Sequence, residues 1–135
     1  MIDIFNEVYT KIADALRAEF ADPNFNINSR ASPVVSDFPA AQILERSNTM
    51  YTRTQDSGSN ENHADIMLQC EYYDNSKSTR QATCKRMAAI VDGILGFYNF
   101  NRIMLMPVDN MDSRIYRMTA QYTAVVGKDG VVYRR

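Results

Sequence analysis

The apolar positions of this chain repeat with two different periods, and each period names a type of element. Phe5, Val8, Tyr9, Ile12, Leu16 and Phe20 recur at three- and four-residue steps, which predicts an amphipathic helix from Ile2 to Ala21 with one apolar stripe. Asp3 and Glu7 sit favourably near its positive end. Asp22-Pro23-Asn24 stops it, because proline disfavours helical geometry in the residue before it. Phe25 and Ile27 predict a short strand, and Pro33 and Pro39 bracket an irregular entry to the next element.

That element is a two-stranded ribbon at about residues 40–73. Its outgoing half is apolar at Ala41, Ile43 and Leu44, then polar from Ser47 to Arg53 apart from Met50 and Tyr51. A polar loop runs from Thr54 to Asn62. The returning half alternates from His63 to Tyr73, with Ala64, Ile66, Leu68, Cys70 and Tyr72 pointing one way and Asp65, Gln69 and Glu71 the other. A strand of about thirteen residues spans roughly 43 Å. A compact chain of this length has a radius of gyration of only about 14 Å. The far half of the hairpin is therefore expected to overhang the globule, and a half-apolar overhang needs a partner surface.

Beyond the Asp74-Asn75-Ser76 turn, Ser78-Thr79-Arg80-Gln81 has the spacing of a capping box and predicts a helix from Thr79 to Leu95. Its stripe is Cys84, Met87, Ala88, Val91, Ile94 and Leu95, and Gly96 is the expected stop. Arg102 to Val108 reads as a short strand, and Asp109 to Ser113 as a turn. From Arg114 to Val126 the chain alternates again, with Tyr116, Met118, Ala120, Tyr122, Ala124 and Val126 on one face. Gly127-Lys128-Asp129-Gly130 is a hairpin turn, after which Val131 to Arg135 reads as an edge strand or a tail. Two helical stripes and several alternating strands predict a single α+β domain over residues 1–135. Its two layers are a predominantly antiparallel sheet, carrying a long protruding β-hairpin, and two helices packed on one face.

Composition narrows the function classes. Fifteen basic against sixteen acidic residues leave the chain near neutral, so no global field draws it to nucleic acid or to an anionic membrane. No apolar run approaches the roughly 20 residues of a membrane span, and the start of the sequence lacks a basic segment followed by an apolar signal core. A cytosolic protein at synthesis is expected. Cys70 and Cys84 fall on apolar stripes and are expected to be reduced core residues. Phosphate-binding glycine loops are absent from the sequence.

Candidate chemistry is sparse. His63 is the single histidine and sits beside the polar loop, where a solvated or interface role is expected. Asp109, Asn110 and Asp112 could hold a divalent cation, but their spacing lacks the calcium-loop pattern and reads as a turn. No trio of nucleophile, base and stabiliser can be named, so an enzyme, a cofactor and a metal are not expected. Two groups are candidates for contact. Met50, Tyr51, Arg53, Gln55, Asp56, Glu61 and His63 on the ribbon, with Tyr73 on the face away from the core, are assigned to a subunit or partner interface. Lys77, Arg80, Lys85 and Arg86 form a basic run without an acid, a solvated helix face that could meet an acidic partner or passing DNA. Methionines such as Met67, Met104, Met106 and Met118 are expected to fill core or subunit contacts.

The order of these features resembles the tail-terminator (tail-completion) proteins of long-tailed bacteriophages. The carrying residues are Phe38-Pro39-Ala40 leading into the ribbon, the alternating strand His63 to Tyr73, the helix led by Ser78, and the strand Tyr116-Arg117-Met118-Thr119-Ala120-Gln121-Tyr122. The resemblance implies a homo-hexameric ring on the head-proximal end of the tail tube, and would make the ribbon interface a contact between subunits or with that tube. That ring would stop tube polymerisation, dock to the head connector or head-closure protein, and let double-stranded DNA pass through its lumen without specific binding. It implies location at the tail-neck junction of the virion, with assembly in the host cytoplasm and no membrane contact. Alternatives are another neck component, either a head-closure or a connector-adaptor protein, and a small nucleic-acid-binding module using Lys77 to Arg86.

Overall fold

The computed structural model describes residues 3–21, 25–29, 37–50, 63–109, 112–127 and 132–133. Its elements are α1 (Phe5–Glu19), β1 (Asn26–Asn28), β2 (Ala40–Met50), β3 (His63–Asp74), α2 (Arg80–Phe97), β4 (Asn101–Val108), β5 (Tyr116–Gly127) and β6 (Val132–Tyr133). The strands form one sheet in the order β1-β2-β3-β5-β4, with β6 also paired to β5. All pairings are antiparallel except β1 with β2. This is the expected α+β architecture. β3 and β4 both run antiparallel to β5, so they are parallel to each other, with β5 lying between them.

The period-2 pattern decides which sheet face is covered. Ala64, Ile66, Leu68, Cys70 and Tyr72 of β3 and Met118, Ala120, Tyr122, Ala124 and Val126 of β5 are all buried in one cluster. The same cluster takes Val8, Ile12, Ala13 and Leu16 from α1 and Cys84, Met87, Ala88, Val91 and Leu95 from α2. Both helices therefore lie on one face, with α2 across β3 and β5 and α1 beside α2. Both cysteines are free and buried.

The ribbon is less of an overhang than its length alone implied. β5 accompanies β3 along its entire length, from His63 opposite Gly127 to Asp74 opposite Tyr116. The long strand is thus a central strand of an equally long sheet, and Ala64 and Ile66 near its far end are core residues. Residues 51–62, where an overhang would begin, lie outside the described residues.

The helix boundaries correct two local expectations. Thr79, one residue after Ser78, is the N-cap of α2 and makes no side-chain capping bond. That shift puts Gln81 at the second helical position instead of the third, so the capping box does not form. At the other end the helix continues through Gly96 to Phe97. Asn99 ends it by taking a left-handed φ of 65°. Its N–H reaches the Gly96 carbonyl at 3.0 Å, and the Phe100 N–H reaches the Leu95 carbonyl at 2.9 Å. This is the paired closure of a Schellman motif, and the buried Phe100 and Leu95 provide its apolar component. In α1 the Asp3 carboxylate accepts the Phe5 N–H at 2.9 Å, which places the start at Phe5, later than expected.

Candidate assembly surfaces

Beside the buried stripe, α2 carries a second apolar stripe that is only partly covered. Ile94, expected in the core stripe, is half-buried and belongs to this second one. Ile90, Ile94 and Phe97 follow one another at four- and three-residue steps, on the side where Ala89 and Gly93 also lie. With Ala15 of α1 they border an apolar groove of about 510 Å³ between the two helices. Phe97 is 84% exposed at its rim. Gly93 and Gly96 sit inside a helix, where glycine costs about 1 kcal/mol relative to alanine. A methyl group at either position would meet nothing within 4 Å, so packing inside the subunit does not require their small size.

A second apolar surface lies on β4, the outermost strand beside β5. Register places Met106 opposite Thr119 and Met104 opposite Gln121, on the sheet face away from the helices. Met106 is 49% exposed, and Ile103, at the register shift between Arg102 and Met104, is 53% exposed. The groove and Met106 therefore occupy opposite layers of the subunit.

Beside Met106, the outer sheet face carries a polar network. Glu71 on β3 is buried, and its carboxylate accepts bonds from Arg117 Nε at 3.2 Å, Arg117 Nη2 at 2.9 Å, Gln69 Nε2 at 2.9 Å and the Thr119 hydroxyl. The Glu71 hydrogen bonds raise the affinity of the Arg117 guanidinium for its proton. Arg117 also lies over the Tyr73 ring, 5.6 Å from its centroid. A smaller cluster ties β4 and β5 to α2, where Tyr122 Oη at 2.8 Å and Arg102 Nη1 at 3.1 Å both donate to Asp92 Oδ1.

The residues singled out from the sequence disperse. Tyr51, Arg53, Gln55, Asp56 and Glu61 lie outside the described residues. Met50 ends β2 opposite Ala64, and His63 opens β3 half-buried. Tyr73 does face away from the helices, but it is only 7% exposed and is packed with Arg117. The basic run divides. Arg86 pairs with Glu19 and stacks on Phe20 at 4.8 Å, fastening α2 to α1, while Lys85 stays exposed. Arg80 donates to the Arg114 carbonyl at 3.0 Å and shares a cleft with Lys77. Asp112, expected in a turn, is held by Arg114 through its backbone N–H and guanidinium. Those bonds hold the Asp112 carboxyl down at about 2.

Met106 is one of the methionines expected in a core or subunit contact, whereas Phe97 falls beyond the expected helix stop at Gly96 and Ile103 has no assigned face in the expected strand from Arg102 to Val108. Phe97 lies two residues past Leu95, about 200° around the helix, and that phase alone turns it away from the core. Among the described residues no helix is long and apolar enough to cross a membrane, and no three His, Cys, Asp or Glu side chains gather as metal ligands. No protein-family model and no curated protein matches this chain.

Proposed function

We propose that this chain is a structural virion protein of the tail-terminator type. It assembles as a homo-hexameric ring that caps the tail tube, stops its growth and offers the docking surface for the head connector, with DNA passing through the lumen. The supporting observation is apolar surface left on opposite layers of one subunit, the α1–α2 groove rimmed by Phe97 and, on the outer sheet face, Met106 of β4. Two unlike surfaces on one subunit suit heterologous contacts, which close into rings when the rotation permits. Burying one such side chain contributes roughly 1.5–3 kcal/mol per contact.

Light scattering and negative-stain microscopy of the purified protein, alone and with tail tubes, provide the test. The wild-type protein is expected to form rings and to cap tubes. Phe97→Asp and Met106→Asp, both at exposed positions, are expected to keep the native circular dichroism and to run as monomers. A wild-type protein that stays monomeric and leaves tubes uncapped refutes the reading.

A further inference from the structure

Where β2 and β5 begin and β3 ends, the start of α2 closes a cleft of about 430 Å³. Phe38 and Ile115 supply apolar wall, and Lys77, Arg80 and Arg114 supply three cations against the single acid Asp112. Asp74, buried beside Cys84, is not part of the lining.

Two of the cations, Arg80 and Arg114, are held in a fixed relation. Arg114 donates its backbone N–H at 3.0 Å, Nε at 3.0 Å and Nη2 at 2.9 Å to Asp112. Its carbonyl in turn accepts Arg80 Nη1 at 3.0 Å. A guanidinium has five donors, so both arginines keep N–H groups for a further acceptor after these bonds. The first turn of α2 contains no acid, and its N-cap makes no side-chain bond, so the positive end of the helix adds to the same field.

We propose that this cleft binds a phosphate-class oxyanion, supplied either as inorganic phosphate or as a backbone phosphate of nucleic acid. Lys77 and Arg80 come from one segment at the start of α2 and Arg114 from the segment before β5, so a bound anion would meet cationic donors from two sides of the cleft. That arrangement matches a tetrahedral group with several charged oxygens better than a planar carboxylate with two. The inference stands apart from the ring assignment, because it needs only the folded subunit.

Broadening of the ³¹P signal of inorganic phosphate on adding protein tests the site at constant ionic strength, with acetate as competitor. Saturable broadening with a millimolar midpoint is expected, with acetate displacing phosphate about tenfold less well than phosphate displaces itself. Arg80→Gln/Arg114→Gln is expected to weaken binding at least about tenfold, while Lys85→Gln, outside the cleft, binds as wild type. A labelled DNA duplex followed by anisotropy distinguishes the sources. Binding that falls with the same double variant and with added phosphate assigns the site to nucleic acid, and phosphate binding without duplex binding assigns it to the free anion. Broadening unchanged in the double variant, or acetate competing equally, overturns the proposal. Native circular dichroism of both variants guards against misfolding, and Arg114 is exposed enough for its change to leave the core intact.

Discussion

Replacing Arg117 by methionine would strip the charge partner from a carboxylate that the sheet has taken out of water. The side chain of Glu71 is 4% exposed and that of Arg117 30%. Removing one partner of a fully buried pair costs about 3–5 kcal/mol, because the remaining charge is left uncompensated. Two features reduce that here. Arg117 is partly solvated, so water can reach the vacated position, and Gln69 and Thr119 still donate to the carboxylate. Methionine also retains an apolar stem over Tyr73. We therefore expect Arg117→Met to cost about 2–3 kcal/mol. Glu71→Gln keeps acceptor capacity and leaves a cation that can turn to solvent, so its cost is about 1–2 kcal/mol.

Urea unfolding at one fixed protein concentration measures both, read as a shift in midpoint with an unchanged slope. The double variant then isolates the pair, with a coupling of at least about 1 kcal/mol expected between contacting charges. A cost for Arg117→Met within about 0.5 kcal/mol of zero, the range of ordinary surface substitutions, would refute the argument that Glu71 depends on this partner. So would additivity of the two changes.

Two further outcomes follow from particular residues. Asn99→Ala places a Cβ-bearing residue without a local polar side chain at φ 65° and is expected to lower stability by about 1 kcal/mol, whereas Asn99→Gly stays near wild type, both read from thermal unfolding. Burial pushes the Cys70 thiol up to about 12 from an ordinary value near 9, so the fold favours the neutral thiol. That contribution is whole below the unfolded value and is lost as pH rises from about 9 to about 12, with a slope of at most about 1.4 kcal/mol per pH unit. Denaturant midpoints should fall over that range, and less steeply in Cys70→Ala; equal slopes in both proteins would contradict it.

The inner face of the sheet was legible because burial acts on every second residue, and Ile66, Leu68 and Cys70 obey that rule without reference to any distant strand. The outer face was not. Glu71 reads as a solvated position between Cys70 and Tyr72, yet its surroundings are set by Gln42 and Thr119, the residues opposite it on β2 and β5. Alternation says which side a residue faces and nothing about how polar neighbours across the sheet enclose it. The basic run fails for the same reason. Proximity along the chain grouped Arg80 with Arg86, whereas packing sends Arg86 to Glu19 and Phe20 and joins Arg80 to Arg114 from another element.

The same distinction bears on how copies of the chain would meet. An exposed outer strand ordinarily invites another strand to extend the sheet. β4 carries Pro107, which cannot donate to a ladder, and a register shift between Arg102 and Met104. Both features work against strand addition along this edge. What β4 presents instead are side chains, Ile103 at the shift and Met106 on the outer face. A contact made there is therefore one of side-chain packing. It should be sensitive to Met106→Asp and tolerant of Met106→Leu, which keeps the apolar volume.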